Sequence, residues 1–325
     1  MIQSKLAQRL GLKYPILQAP IGSMAGVDLA SAVSNEGGLG SLALAWTAPD
    51  LAHDLIRQVQ SRTSKPFIVN YVLAFPILSL DLALEAGVRL VTFSWGNPGH
   101  LIQKCQHANA LVGVQVGTCD GAKAALDSGA DFIICQGVEA GGHVQSTTPL
   151  ISLLEETVQA CDDVPVVAAG GLANGGDIAR AFNAGADAVM LGTRFIATKE
   201  SRAHPLYKQA LVASKSEDAV MTLCFNGGWD HAPHRVLRNS TLKAWEDSGC
   251  LRPGSRPGEG EQIASNHGGK NVTRYDDTPP ANDMDGDILA CCLYAGLGCE
   301  KIENIPTVAE LLPELWFEYL STQGN

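Results

Sequence analysis

One histidine, His143, closes the tract Gln136-Gly-Val-Glu-Ala-Gly-Gly-His143, which follows a short apolar run. It is the only histidine that falls at the end of such a run, and imidazole titrates near neutrality. It can therefore take an acidic C–H proton or polarise an oxygen. The small residues before it let the backbone pass close to a flat ligand. Farther along, Ala168-Ala-Gly-Gly171 and Met190-Leu-Gly-Thr193 each end an apolar run. Gly170, Gly171 and Gly192 let backbone N–H groups approach phosphate oxygens, and Thr193 adds a hydroxyl. A phosphorylated cofactor beside a single imidazole is the chemistry on offer. Asn70 carries an amide that both donates and accepts, as the N3–H and carbonyl edge of an isoalloxazine requires. The turn Ala19-Pro20-Ile21-Gly22 could line such a ring with its backbone. Each feature has a plainer use, as a tight turn, a cap or a strand terminator. Their recurrence at successive run ends favours a site.

Those residues need elements to position them. Apolar runs over 15–21, 39–44, 67–72, 90–95, 111–116, 132–136, 166–169 and 188–191 alternate with segments of helical period. Alternation of this kind marks βαβ units. The joints Leu126-Asp-Ser-Gly129-Ala-Asp and Phe182-Asn-Ala-Gly185-Ala-Asp repeat one pattern, a glycine that stops a helix before the next strand. Eight such units predict a (β/α)₈ TIM barrel, with active residues at the C-terminal strand ends. An open doubly wound sheet fits less well, because Gly38-Leu-Gly40-Ser-Leu-Ala43 enters a strand instead of linking strand to helix. From 214 to 287 the chain turns rich in Gly, Pro, Asn, Asp and Ser, which predicts an insertion or C-terminal extension and a candidate lid. Residues 1–213 and 288–325 form the expected barrel, with 288–295 and 308–319 as closing helices.

Composition supports a folded chain, with 46% hydrophobic and 18% charged residues. With 34 acidic against 23 basic side chains the net charge is −11, so nucleic acid would be repelled. No apolar run is long enough for a membrane span, and the N-terminal residues lack a secretory leader, so the expected location is cytoplasmic. Nine cysteines without CxxC spacing suggest neither a disulfide framework nor a zinc site. His231 and His234 are spaced like ligands, yet no carboxylate or cysteine completes a metal centre.

Four ordered segments, Pro15-Ile-Leu-Gln-Ala-Pro20, Gln136 to His143, Val166-Val-Ala-Ala-Gly-Gly171 and Leu191-Gly-Thr-Arg-Phe-Ile-Ala-Thr198, together resemble the nitronate monooxygenase family, formerly 2-nitropropane dioxygenase. Leu293-Tyr-Ala-Gly296 resembles its closing region. The resemblance implies FMN as cofactor, held at Asn70, Gln136, Gly141, Gly171 and the stretch Met190, Leu191, Gly192 and Thr193, with Gln115 a further contact. It implies that His143 is the catalytic base toward nitroalkanes or a polar partner of the nitro group. The implied reaction is oxidation of an alkyl nitronate, such as propionate 3-nitronate, by O2 to a carbonyl compound and nitrite, without a nicotinamide. Partners are then a small nitronate or nitroalkane and O2, and a homodimer is allowed. Ile21 stands where the family often has Met, and Asn174-Gly-Gly176 where Asp-Gly-Arg is usual. The same barrel resembles FMN-dependent enoyl-acyl-carrier-protein reductase, which also carries Glu-Ala-Gly-Gly-His, and NAD(P)H:quinone reductase. A non-catalytic FMN sensor and a sugar-phosphate isomerase or synthase barrel are the alternatives from other classes.

Overall fold

The computed structural model describes residues 4–227 and 229–323. Its strands, in chain order, are β1 (Ile16–Gln18), β2 (Gly40–Ala43), β3 (Phe67–Val72), β4 (Leu90–Ser94), β5 (Leu111–Val116), β6 (Phe132–Gln136), a two-residue β7 (Gly142–His143), β8 (Val166–Ala169) and β9 (Ala188–Leu191). All but β7 join one parallel sheet in the order β1-β9-β8-β6-β5-β4-β3-β2. A parallel bridge between Leu17 and Leu39 links its two ends. The architecture is the expected TIM barrel.

Strand residues alternate between two apolar environments, as a period of two requires. Leu17, Leu39, Ile68, Leu90, Phe132, Ile134, Val167 and Met190 cluster inside the barrel, joined by Leu6 from the first helix. Ile16, Val69, Val91, Val112, Ile133 and Val189 face outward into the layer beneath the helices. Burial on both faces explains why these strands read as continuous apolar runs. At the repeated helix-to-strand joints, Gly129 and Gly185 take φ of +96° and +95°, the left-handed stop that glycine adopts cheaply.

Residues 199–307 lie between β9 and the last helix, Val308–Thr322. That helix packs against the helices Val27–Asn35 and Gly175–Asn183, so it fills the eighth outer place of the barrel. A Thr307–Glu310 capping box starts it, and Leu311, Leu312 and Leu315 are buried. The intervening segment contains two small antiparallel sheets. In one, β10 (Ala219–Thr222) pairs with β11 (His234–Leu237), which pairs with β7. In the other, β12 (Gln262–Asn266) lies between β13 (Asn271–Thr273) and β14 (Met284–Gly286). The expected helix over 288–295 is a correction: only Ile288–Ala290 is helical, as one 3₁₀ turn. Beyond it the chain runs extended beside β11, with Leu237 N–H donating to Leu293 O at 2.8 Å and Ala295 N–H to Arg235 O at 3.2 Å. A short apolar run fits a buried extended segment as well as a helix, and here pairing decides it.

Candidate active site

A cavity of about 610 Å³ opens at the C-terminal ends of the strands, where barrel enzymes place their sites. Of the residues expected there, Ala19, Pro20 and Ile21 line it after β1, Asn70 on β3, Gln115 on β5 and Gln136 on β6. Gly141 and His143 line it from the next loop, Gly170 and Gly171 after β8, and Met190, Gly192 and Thr193 around the end of β9. Leu191 departs from expectation. Its side chain packs in the layer between strands and outer helices, because Met190 takes the inward position and the next residue must point away.

The glycine corner presents donors without acceptors. Gly170 and Gly171 hold φ of +120° and +67°, and the N–H groups of Gly170, Gly171, Gly192 and Thr193 find no partner among the described residues. Thr193 Oγ1 accepts from Gly296 N–H at 3.0 Å, which leaves its own proton to donate. A Cβ at Gly171 would come within 2.8 Å of Glu139 Cβ, whereas one at Gly192 would meet only Ile21 Cγ2 at 3.4 Å and Ala19 Cβ at 3.6 Å. Asn70 Nδ2 donates to Thr92 Oγ1 at 3.0 Å, so its Oδ1 is left as a free acceptor.

Gln136 also has a partner within the protein. Its Nε2 donates to His143 O at 3.2 Å and its Oε1 accepts from Gln145 N–H at 2.8 Å. The carboxamide thus clamps the strand that carries the imidazole. Arg235, on β11, is buried and donates to Val138 O at 2.7 Å, Ala219 O at 3.1 Å and Ala140 O at 3.2 Å. It ties the loop before His143 to the late segment. Gly141 lets that loop lie against the backbone of Ala295 and Gly296, which any Cβ would overlap.

His143 stands among rings: Trp229 at 4.5 Å, His234 at 5.4 Å, Tyr294 at 5.6 Å and Trp95 at 6.2 Å between centroids. Its Nε2 is buried with no hydrogen-bond partner among the described residues. Burial first, and the neighbouring His234 second, push its pKa down to about 3. The resting imidazole is therefore neutral, with one N–H and one lone pair. A neutral ring can serve either expected use, taking a proton through its lone pair or donating its one N–H to a nitro oxygen. His234, directly opposite on β11, is held down by burial too. Its Nε2 accepts from Phe225 N–H at 3.2 Å and its Nδ1 faces Ala232 O at 3.1 Å, a pattern that a neutral ring protonated on Nδ1 satisfies.

Several lining residues escaped the sequence reading, among them Trp46, Phe75, Trp95, Tyr207, Trp229, Asp277 and Tyr294. Trp95 was findable, since it ends the fourth run just as Asn70 falls in the third. Trp229, Asp277 and Tyr294 arrive from the late segment, and no local pattern links them to a strand end. Among the described residues no cluster of His, Cys, Asp and Glu could hold a metal ion, and no helix is long and apolar enough to cross a membrane.

A parallel barrel with a donor-rich glycine corner and an imidazole lining the cavity at its mouth defines a flavin-dependent oxidoreductase class, and comparison with known proteins agrees. The nitronate monooxygenase family model matches residues 3–78 and 77–318, so the chain belongs to that family. It is 31% identical over 275 residues to the nitronate monooxygenase of Pseudomonas aeruginosa, covering 69% of this chain and 77% of that protein. It is 34% identical over 254 residues to a Rhodococcus jostii enzyme, (3aS,4S,5R,7aS)-5-hydroxy-7a-methyl-1-oxo-octahydro-1H-indene-4-carboxyl-CoA dehydrogenase, covering 77% of this chain and 70% of that one. Among solved structures, FabK from Thermotoga maritima superposes with a TM-score of 0.81 at 27% identity, over 100% of this chain and 98% of that one. A nitroalkane oxidase from Streptomyces ansochromogenes gives 0.79 at 28% identity, over 98% and 99%.

Proposed function

We propose that the cavity holds FMN and that the enzyme oxidises alkyl nitronates, such as propionate 3-nitronate, with O2 to a carbonyl compound and nitrite. The observation that carries this reading is that His143, whose Nε2 has no hydrogen-bond partner among the described residues, lines the same cavity as the unpaired N–H groups after β8 and β9. The residues present fit the cofactor. Gly170, Gly171, Gly192 and Thr193 would hold its phosphate through N–H groups and one hydroxyl, and Asn70 Oδ1 would accept from the ring N3–H. When bound, FMN supplies the electron acceptor that passes electrons on to O2.

The protein's own groups do the rest. Neutral His143 takes the proton from the carbon beside a nitro group, or donates to a nitro oxygen when the substrate arrives as the anion. Gln136 and Arg235 hold the loop that aims it. The surrounding rings keep water from the reacting carbon. We assign residues 214–287 to an insertion that covers the site, and we place the enzyme in the cytoplasm, where its nine unpaired cysteines would stay reduced.

A second reading has its own support, because a thioester carbonyl also acidifies the adjacent C–H bond. The Rhodococcus relative is named for dehydrogenation of a carboxyl-CoA. One anaerobic experiment separates the alternatives. Purified, FMN-loaded protein is mixed in turn with propionate 3-nitronate, an acyl-CoA and NADH, and flavin absorbance is followed. Rapid bleaching by the nitronate is expected; bleaching by NADH or the acyl-CoA with none by the nitronate would overturn the first reading.

A further inference from the structure

Across the barrel from β8 and β9, the turns that follow β2, β3 and β4 carry Trp46, Phe75 and Trp95. Trp229 joins them from the late segment. Their rings form one continuous wall, with centroids 5.2 Å apart for Trp46–Phe75, 5.0 Å for Phe75–Trp229 and 4.6 Å for Trp229–Trp95, and it meets His143 at 4.5 Å from Trp229. All four line the cavity. Packing alone does not account for this wall. Trp95 keeps a φ of +62°, which is costly for a bulky side chain and is characteristic of functional positions. Trp46 remains 58% exposed at the rim. Asp277 is the one carboxylate in the lining, with Lys270 near it; it lies against Gly227 and accepts a hydrogen bond from no other described residue.

We propose that the substrate carries a flat or cyclic apolar body that lies on the Trp46–Phe75–Trp229–Trp95 wall, and that a hydrogen-bond donor on that body reaches Asp277. This rests on His143 being the reacting end of the site, and it adds that a two- or three-carbon nitronate would leave the wall uncovered. Aromatic and alicyclic rings gain stacking and edge contacts on such a surface that a flexible chain does not.

The test is equilibrium binding, not turnover. FMN-loaded protein is titrated with 1-indanone, 5-hydroxy-1-indanone and the open-chain 2-heptanone. Binding is read from quenching of tryptophan emission, to which three of the five tryptophans contribute from the wall, and the titration is repeated on flavin-free protein. We expect 1-indanone to bind at least about fivefold tighter than 2-heptanone, with a further gain from the hydroxyl. Trp46→Ala, which removes a mostly exposed side chain, should erase most of the ring preference. Asp277→Ala should erase the hydroxyl gain and keep the ring preference. Equal Kd values for 1-indanone and 2-heptanone on the native protein would overturn the wall, and a hydroxyl gain that survives Asp277→Ala would overturn the role of that carboxylate. A chain that fails to oxidise nitronates could still pass this test, so the two readings fail separately.

Discussion

His143 places a buried nitrogen where nothing among the described residues satisfies it. An orphan of this kind costs about 1–3 kcal/mol, a cost that a ligand atom would remove on binding. If the imidazole is the base, His143→Asn should retain FMN yet slow neutral nitroalkanes by about 10²-fold or more, with much less effect on preformed nitronates. Equal losses on both, measured as kcat/KM, would refute the role. The depressed pKa has a second consequence. Unfolded, a histidine protonates near 6.5; here it protonates near 3. Between those values the unfolded chain holds more protons, so stability falls as pH drops from about 6.5 toward 3, on the order of 1 kcal/mol per pH unit. Urea midpoints should decline less steeply over that window in His143→Asn than in the native protein; parallel declines would mean the ring is not held neutral. At the phosphate corner, Gly192→Leu is a cleaner probe than any change at Gly171, because a Cβ at Gly192 meets no backbone and its φ is ordinary for any residue. Lower flavin content with an unchanged apo-protein melting temperature is the expected result, and full flavin content would put the phosphate elsewhere.

Between the barrel and the late segment, β7 and β11 form the joint that matters. Pairing His143 with His234 and Gly142 with Arg235 fixes which way the imidazole points, since alternate residues of a strand face opposite sides. Arg235 then anchors the loop through three carbonyls. Arg235→Met would keep the apolar bulk and strand those acceptors, so it should cost about 2–4 kcal/mol of unfolding free energy and lower kcat on a nitronate. A variant with native stability and native kcat would show that the loop needs no such anchor. The two strand ends read as phosphate corners were visible because glycine and threonine announce themselves locally. The β7–β11 joint was not, because it pairs residues about ninety positions apart in a stretch with weak periodicity.

For the whole molecule, the notable feature is that the eighth outer helix comes from the far end of the chain. The helix Val308–Thr322 seals the seam between the helices that follow β1 and β8, and Glu318 accepts from Gly175 N–H at 2.7 Å. Leu312→Ala would open a hole in a side chain that is 0% exposed and should cost about 2–5 kcal/mol, lowering the melting temperature of the entire barrel. A local effect confined to the C-terminus, visible by hydrogen exchange, would show that the seam is independent of the barrel.

Eight strand positions, the left-handed stops at Gly129 and Gly185 and the glycine corner at 170–171 and 192 were all written in the sequence, because period, turn chemistry and strand-end position are properties of neighbouring residues. The company His143 keeps was not. Trp229, His234 and Tyr294 reach it only after the late segment folds back over the barrel mouth, and burial among them, which no local pattern encodes, is what holds the imidazole neutral.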